Sequence, residues 1–99
     1  MMIISWTPTA IKTYFKVLDY LEGAWTKKEV RNFAAEVEKV LSQITENPDM
    51  FEASRKKKNI RKGYITSHNT LYYRVKPLKK ELELLTFWDN RQNPEKKLY

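Results

Sequence analysis

The residues best equipped for chemistry are crowded into one stretch. Between Ala53 and Lys80 stand ten basic side chains, Arg55, Lys56, Lys57, Lys58, Arg61, Lys62, Arg74, Lys76, Lys79 and Lys80, without a single acid. Such a block attracts polyanions or acidic protein surfaces by charge, with little specificity of its own. The run Lys56–Lys58 within it reads in three ways: a solvated loop entering a strand, a docking surface for an acidic partner, or a direct RNA contact. His68 is the one histidine of the chain. An unperturbed imidazole titrates near pH ~6.5 and suits acid–base work; the plainer reading is a structural histidine at a tight turn. Tyr72 and Arg74 share parity on one strand and make a reasonable base-stacking pair, whereas Tyr73 shares parity with Leu71 and Val75 and reads as core. Asp89 and Arg91 are spaced for a local ion pair, a reading preferred over a catalytic acid at Asp89. Trp88 reads as core or as an interface anchor.

Composition narrows the chemistry further. The remaining nine bases face all twelve acids, so the net charge of +7 belongs to the basic stretch. The chain has no Cys, which removes disulfides and thiolate zinc sites and fits a reducing cytoplasm. With a single His, metal sites and triads have almost nothing to build on, so no metal and no cofactor is expected. Apolar runs such as Met1–Ile4 are far too short for a span of about 20 residues, and no signal-peptide pattern opens the chain, so no membrane partner is expected. At 99 residues, with 41% apolar residues and only two Gly, the sequence describes one domain over residues 1–99.

The elements that must position these groups follow from periodicity. Met2–Trp6 is a short strand candidate. Thr7-Pro8 reads as an N-cap followed by a first-turn proline. Ile11, Tyr14, Phe15, Leu18 and Leu21 then recur at helical spacing over Pro8–Leu21, with Gly23 as the stop. A second helix, Lys27–Thr45, starts at a Thr26–Glu29 capping box and carries the stripe Val30, Phe33, Ala34, Val37, Val40, Leu41 and Ile44. Asn47-Pro48 ends it. Beyond Ala53 the period changes to two: strands at Ile60–Ser67, Thr70–Lys76 and Glu81–Trp88, with turns at His68-Asn69 and Pro77–Lys80. The tail Asp89–Tyr99 is polar, interrupted by Pro94, with room for a short helix. The order β-α-α-β-β-β is an α+β fold: an N-terminal strand, a helical hairpin, then a three-strand antiparallel meander, with the hairpin packed on one face of a mostly antiparallel sheet.

That order, size and basicity resemble the RelE/ParE family of bacterial type II toxins. The resemblance is carried by Ile3-Ile4-Ser5-Trp6-Thr7-Pro8-Thr9-Ala10, by Asn69-Thr70-Leu71-Tyr72-Tyr73-Arg74-Val75, and by Leu84-Leu85-Thr86-Phe87-Trp88-Asp89-Asn90-Arg91-Gln92-Asn93-Pro94. It implies a partner, an antitoxin whose acidic, amphipathic tail wraps and masks the toxin. It also implies growth arrest by the free toxin through one of two targets. RelE-like members cut mRNA on the ribosome, and ParE-like members inhibit DNA gyrase. Fold alone does not choose between them.

Cutting RNA in this way needs a base, an acid for the leaving oxygen, and cations around the phosphate. By resemblance, Arg91 falls where the family places a phosphate-binding Arg, and Lys56–Lys58 with Arg61-Lys62 falls where ribonuclease members carry functional Lys. The Arg that ribonucleases place early in the middle strand aligns with Thr70, and Arg74 stands four residues later. The candidate catalytic set is therefore Arg91, Arg74 and His68. The candidate RNA- or antitoxin-binding set is Arg55, Lys56, Lys57, Lys58, Arg61, Lys62 and Tyr72. The basic run, Tyr72, Arg74 and Arg91 are expected to converge on the outer face of the sheet. The alternative to either toxin reading is a non-toxic nucleic-acid-binding module, although no helix-turn-helix, RNA-binding sheet signature or zinc pattern is present.

Overall fold

A computed structural model describes residues 1–92 and Tyr99. The polar tail between Gln92 and Tyr99, with Pro94 and the short helix expected there, lies outside the described residues. The order is β1 (Ile3–Trp6), α1 (Pro8–Ala24), α2 (Lys27–Glu46), β2 (Ile60–Thr66), β3 (Asn69–Lys76) and β4 (Glu81–Asp89), with a 3-10 turn at Pro77–Lys79. This is the β-α-α-β-β-β succession read from periodicity. The strands form one sheet in the order β1-β4-β3-β2, with β1 parallel to β4 and the other pairs antiparallel. Among the described residues no helix is long and apolar enough to cross a membrane.

The hairpin covers one face. From α2, Phe33, Val37, Val40, Leu41 and Ile44 are buried against Leu71 and Tyr73 of β3 and Leu82, Leu84 and Phe87 of β4. Tyr73 shows how a polar tip is accommodated there. Its hydroxyl donates to the Pro48 carbonyl at 2.8 Å, and burial pushes its pKa up to about 12. Asn59 (φ 64°) and Lys80 (φ 52°) turn the chain into β2 and β4 from the left-handed region.

Helix α1 is rotated from its expected phase. Thr7 caps it as expected, accepting from the Ala10 N–H at 3.1 Å, but the buried face runs through Ala10, Tyr14, Val17, Leu18 and Leu21. Ile11 and Phe15 are 44% and 53% exposed. The cause is a tether. Strand β1 pairs β4 only as far as Leu84; beyond it the edge of β4 would be open. The Thr7 hydroxyl donates to Leu84 O at 2.7 Å, and Phe87 N–H donates to the Thr13 hydroxyl at 2.9 Å. Two threonines a turn and a half apart thus decide which face of α1 meets the sheet, and the small Ala10 between them allows close approach.

Two other expectations are corrected. Thr26 makes no side-chain cap; Glu29 N–H instead donates to the Thr26 backbone carbonyl at 3.0 Å. The start of α2 is exposed, so solvent satisfies its first N–H groups and the box gains little. Gly23 does not stop α1, which continues to Ala24. The end is closed at Trp25, whose N–H donates to Leu21 O at 2.9 Å.

Replacing Thr13 by Val keeps its shape and removes the acceptor for Phe87 N–H. Leaving such a partly buried donor unpaired should cost about 1–3 kcal/mol. Urea unfolding should show that loss, with amide exchange at Phe87 accelerated more than at Leu82. An unchanged midpoint would mean that the tether does not hold the helix.

Candidate functional site

Folding brings remote acids to the basic stretch. Arg61 donates to Phe51 O at 2.7 Å and pairs with Asp49 at 3.3 Å, so it clamps the α2–β2 connection. Lys62 faces Glu52 at 3.9 Å, while Arg74 and Lys76 share Glu83 at 3.5 and 3.3 Å. Tyr64 donates its hydroxyl to Glu52; that bond, followed by the Lys62 charge, holds the Glu52 carboxyl below its usual range. What remains exposed is the turn at Lys79-Lys80 and the loop Arg55–Lys58. Its backbone is organised by Ser54, whose hydroxyl accepts from Lys56 N–H at 3.1 Å.

The sheet face turned away from the helices carries Ile60, Tyr72 and Leu85, all buried, with Trp88 and Tyr99 packed against them. Tyr72 does share this face with Arg74, as parity predicts. It is only 1% exposed, however, so its ring is already covered and does not lie open for base stacking. Tyr99 lies over it, ring centroids 5.6 Å apart.

Arg91 does not reach that face. Its Nε and one terminal nitrogen donate to the two carboxylate oxygens of Asp89 at 3.0 and 2.9 Å, and its guanidinium sits 5.3 Å from the Tyr20 ring centroid. The preferred ion-pair reading of Asp89 thus describes the geometry. Hydrogen bonding from Arg91 holds the Asp89 carboxyl below its usual range, and the same pairing raises Arg91. The helix side is decided by a bulge. Tyr72 pairs Thr86 while Tyr73 pairs Leu84, which leaves Leu85 as an extra residue in β4. A one-residue insertion inverts parity. Leu84 and Phe87 both face the helices, and the chain leaves β4 toward α1.

Arg91 and His68 line one cleft of about 590 Å³. Val17, Leu21, Phe33 and Phe87 are also among its lining residues, together with Lys16, Tyr20, Trp25, Glu29 and Asn32. The expected convergence of Arg74, Arg91, Tyr72 and the basic loop on one face is therefore corrected. His68 and Arg91 meet on the helix side, and Arg74 lies on the opposite face bonded to Glu83. The sequence reading missed Tyr20 and Trp25, 49% and 63% exposed. A signal existed in each: Tyr20 falls off the apolar stripe of α1, and Trp25 sits in the two-residue link between helices. Among the described residues no group of three His, Cys, Asp or Glu side chains is placed to hold a metal.

Comparisons with known proteins agree with this fold. The family described as the ParE toxin of the type II toxin-antitoxin system parDE matches residues 4–94. A chain of the chromosomal ParDE system from P. aeruginosa superposes with a TM-score of 0.70 at 16% identity, covering 90% of this chain and 96% of its own. A copper-bound mutant toxin from Helicobacter pylori gives 0.65 at 20% identity, with coverage of 90% and 94%. A chain of the heterotetrameric YoeB-YefM toxin-antitoxin complex from Staphylococcus aureus gives 0.57 at 15% identity, with coverage of 87% and 93%. No curated protein matches the sequence.

The Asp89–Arg91 pair makes a direct prediction. A carboxyl depressed in the folded state contributes stability above its unfolded pKa and loses it as pH falls through the folded value. Carbon-detected titration should place Asp89 below the ordinary carboxylate range, and Arg91→Gln should return it to that range. The effect on global stability should be small because both groups remain partly in contact with solvent.

Proposed function

This chain belongs to the ParE toxin family of type II toxin-antitoxin systems, and from that premise we propose that it arrests growth by gripping a protein target, DNA gyrase, without cutting RNA. The observation that supports this reading is the split of the charged groups. In-line attack by a 2′-hydroxyl needs a base, an acid and cations gathered around one phosphate. Here Arg91 is held by Asp89 on the helix side, Arg74 is bonded to Glu83 on the other, and the face between β2 and β4 is apolar, filled by Ile60, Tyr72 and Leu85. Arg91 and His68 then serve as cleft residues that meet a protein surface, where Tyr20, Trp25 and Arg91 supply the residue types that dominate binding energy. The test runs two assays on the purified toxin. DNA supercoiling by gyrase should be inhibited, and mRNA on translating ribosomes should remain intact. Cleavage of mRNA would overturn the reading in favour of the ribonuclease alternative, for which the exposed Lys56–Lys58 loop is the supporting feature. Expression without growth arrest would favour the non-toxic nucleic-acid-binding module.

As the toxin component of such a module the protein is paired with an antitoxin, and we propose that the antitoxin segment which covers Arg55–Lys58 is acidic. Charge attraction between exposed groups speeds encounter and is screened over about 8–10 Å at physiological salt. Replacing Lys56, Lys57 and Lys58 together by Ala should slow association and flatten its dependence on salt in stopped-flow measurements. An on-rate unchanged from low to high salt in the parent would take this loop out of the interface.

A further inference from the structure

The cleft beside Arg91 holds one cation site in use and the components of another. The site in use is occupied by Arg91 itself. Its guanidinium donates to both carboxylate oxygens of Asp89 at 3.0 and 2.9 Å and lies 5.3 Å from the Tyr20 ring centroid. A carboxylate and an aromatic face are the two groups that hold a guanidinium best. The same cleft is lined by Trp25, Glu29 and Glu36, which supply both kinds of group again. None of the three is engaged. Among the described residues neither carboxylate is paired with a cation, and the Trp25 ring meets no other ring or cation. Glu29, Asn32 and Glu36 stand three and seven positions apart, so one face of α2 turns all three to the cleft. The helix N-terminus gives a local reason for an acid at Glu29, in the first turn. It gives none for Glu36, two turns further on. Beneath this acidic lip the wall is apolar, with Phe33 and Phe87 each 3% exposed. Lys16, the other cation lining the cleft, stands on α1 and bonds neither carboxylate.

We propose that this cleft receives a basic, partly apolar segment of the protein target. An arginine of that segment meets Trp25 and Glu29, a second basic side chain meets Glu36, and an apolar side chain between them enters against Phe33 and Phe87. An extended segment presents alternate side chains to opposite sides, which suits an acidic lip above an apolar wall. The Arg91–Asp89–Tyr20 arrangement shows within this molecule that a guanidinium fits such a pair of groups. Charge decides against the other occupants. On a chain of net charge +7, two unpaired carboxylates beside an apolar wall favour a cation locally, and they repel an acidic segment or a nucleic acid. The inference rests on the reading that the toxin grips a protein target, and it adds the chemistry of the segment that is gripped.

The whole toxin is titrated with the synthetic peptide Leu-Arg-Leu-Arg-Leu, capped at both ends, and followed by amide chemical shifts. Shifts should appear at Asn32, Phe33 and Phe87. The same peptide with citrulline in place of arginine keeps the shape, loses the charge, and should bind about tenfold or more weakly. The arginine peptide should lose a similar factor on the double variant Glu29→Gln/Glu36→Gln, and should also bind more weakly to Trp25→Leu. Glu36→Gln alone changes one exposed side chain in the middle of α2, so it serves where the other variants disturb the start of that helix. It should weaken binding about threefold. Equal binding of the arginine and citrulline peptides, shifts confined to residues outside the cleft, or an affinity untouched by Glu36→Gln overturns the proposal. So does tighter binding of the peptide with glutamate in place of arginine. In gyrase supercoiling assays the double variant should need about tenfold more toxin for half inhibition. Equal potency of parent and double variant overturns the proposal and leaves gyrase inhibition standing. A parent that does not inhibit gyrase overturns the gyrase reading instead, and the peptide titration then decides the occupant of the cleft.

Discussion

The edge of β4 is the constraint on which the rest of this structure depends. Strand β1 is four residues long and leaves the second half of β4 without a neighbour on that side. An open edge carries unpaired backbone groups and invites association. Helix α1 closes it with side chains: Thr7 to the Leu84 carbonyl and Thr13 to the Phe87 amide. Because Thr7 is also the N-cap of α1, one residue starts the helix, ends the strand pairing and sets the angle between the two. The stack of Trp6, Tyr14, Phe33 and Phe87 is assembled under that tether, as is the cleft in which Arg91 meets Tyr20.

A second device, the bulge at Leu85, divides the functional groups between faces. Upstream of it Leu82 and Leu84 face the helices; downstream Phe87 does, although a regular strand would send it outward. Leu85 and Trp88 are turned to the outer face, where they join Tyr72 and Ile60. One inserted residue therefore makes the outer face apolar and delivers Asp89 and Arg91 to the helix side. The cations are thereby divided between two surfaces of the molecule.

Charge behaves in the same way. The linear block of ten bases looks like one patch, yet Arg61, Lys62, Arg74 and Lys76 meet Asp49, Glu52 and Glu83 from outside it. Pairs this exposed contribute little to stability, about 0–1 kcal/mol each. They matter because they reduce the field on one side and leave it to the exposed Arg55–Lys58 loop and the Lys79-Lys80 turn. The outward field is therefore set by that remainder and not by net charge alone.

Much of the fold was legible in the sequence because it is written in local terms. The Thr7-Pro8 cap, the apolar stripe of α2, the Asn47-Pro48 stop and the change of period beyond Ala53 each depend on neighbours a few residues away, and each appears where expected within a residue or two. The Leu71, Tyr73 and Val75 face of β3 was legible for the same reason. What the sequence could not determine arises from contacts between residues far apart. The phase of α1 depends on hydroxyls that find β4 more than seventy residues later. The burial of Tyr72 depends on Tyr99, and the capping box at Thr26 is left unused because its helix end faces solvent. Parity predicted correctly which residues share a face of β3, but it could not foresee a bulge in the adjoining strand. The sequence by itself determined the elements, their order and the surplus of positive charge, since these are set by propensity and periodicity. Only the tertiary structure decided which cations stand together, because a one-residue bulge carries Arg91 to the helix side and distant acids pair Arg61, Lys62, Arg74 and Lys76.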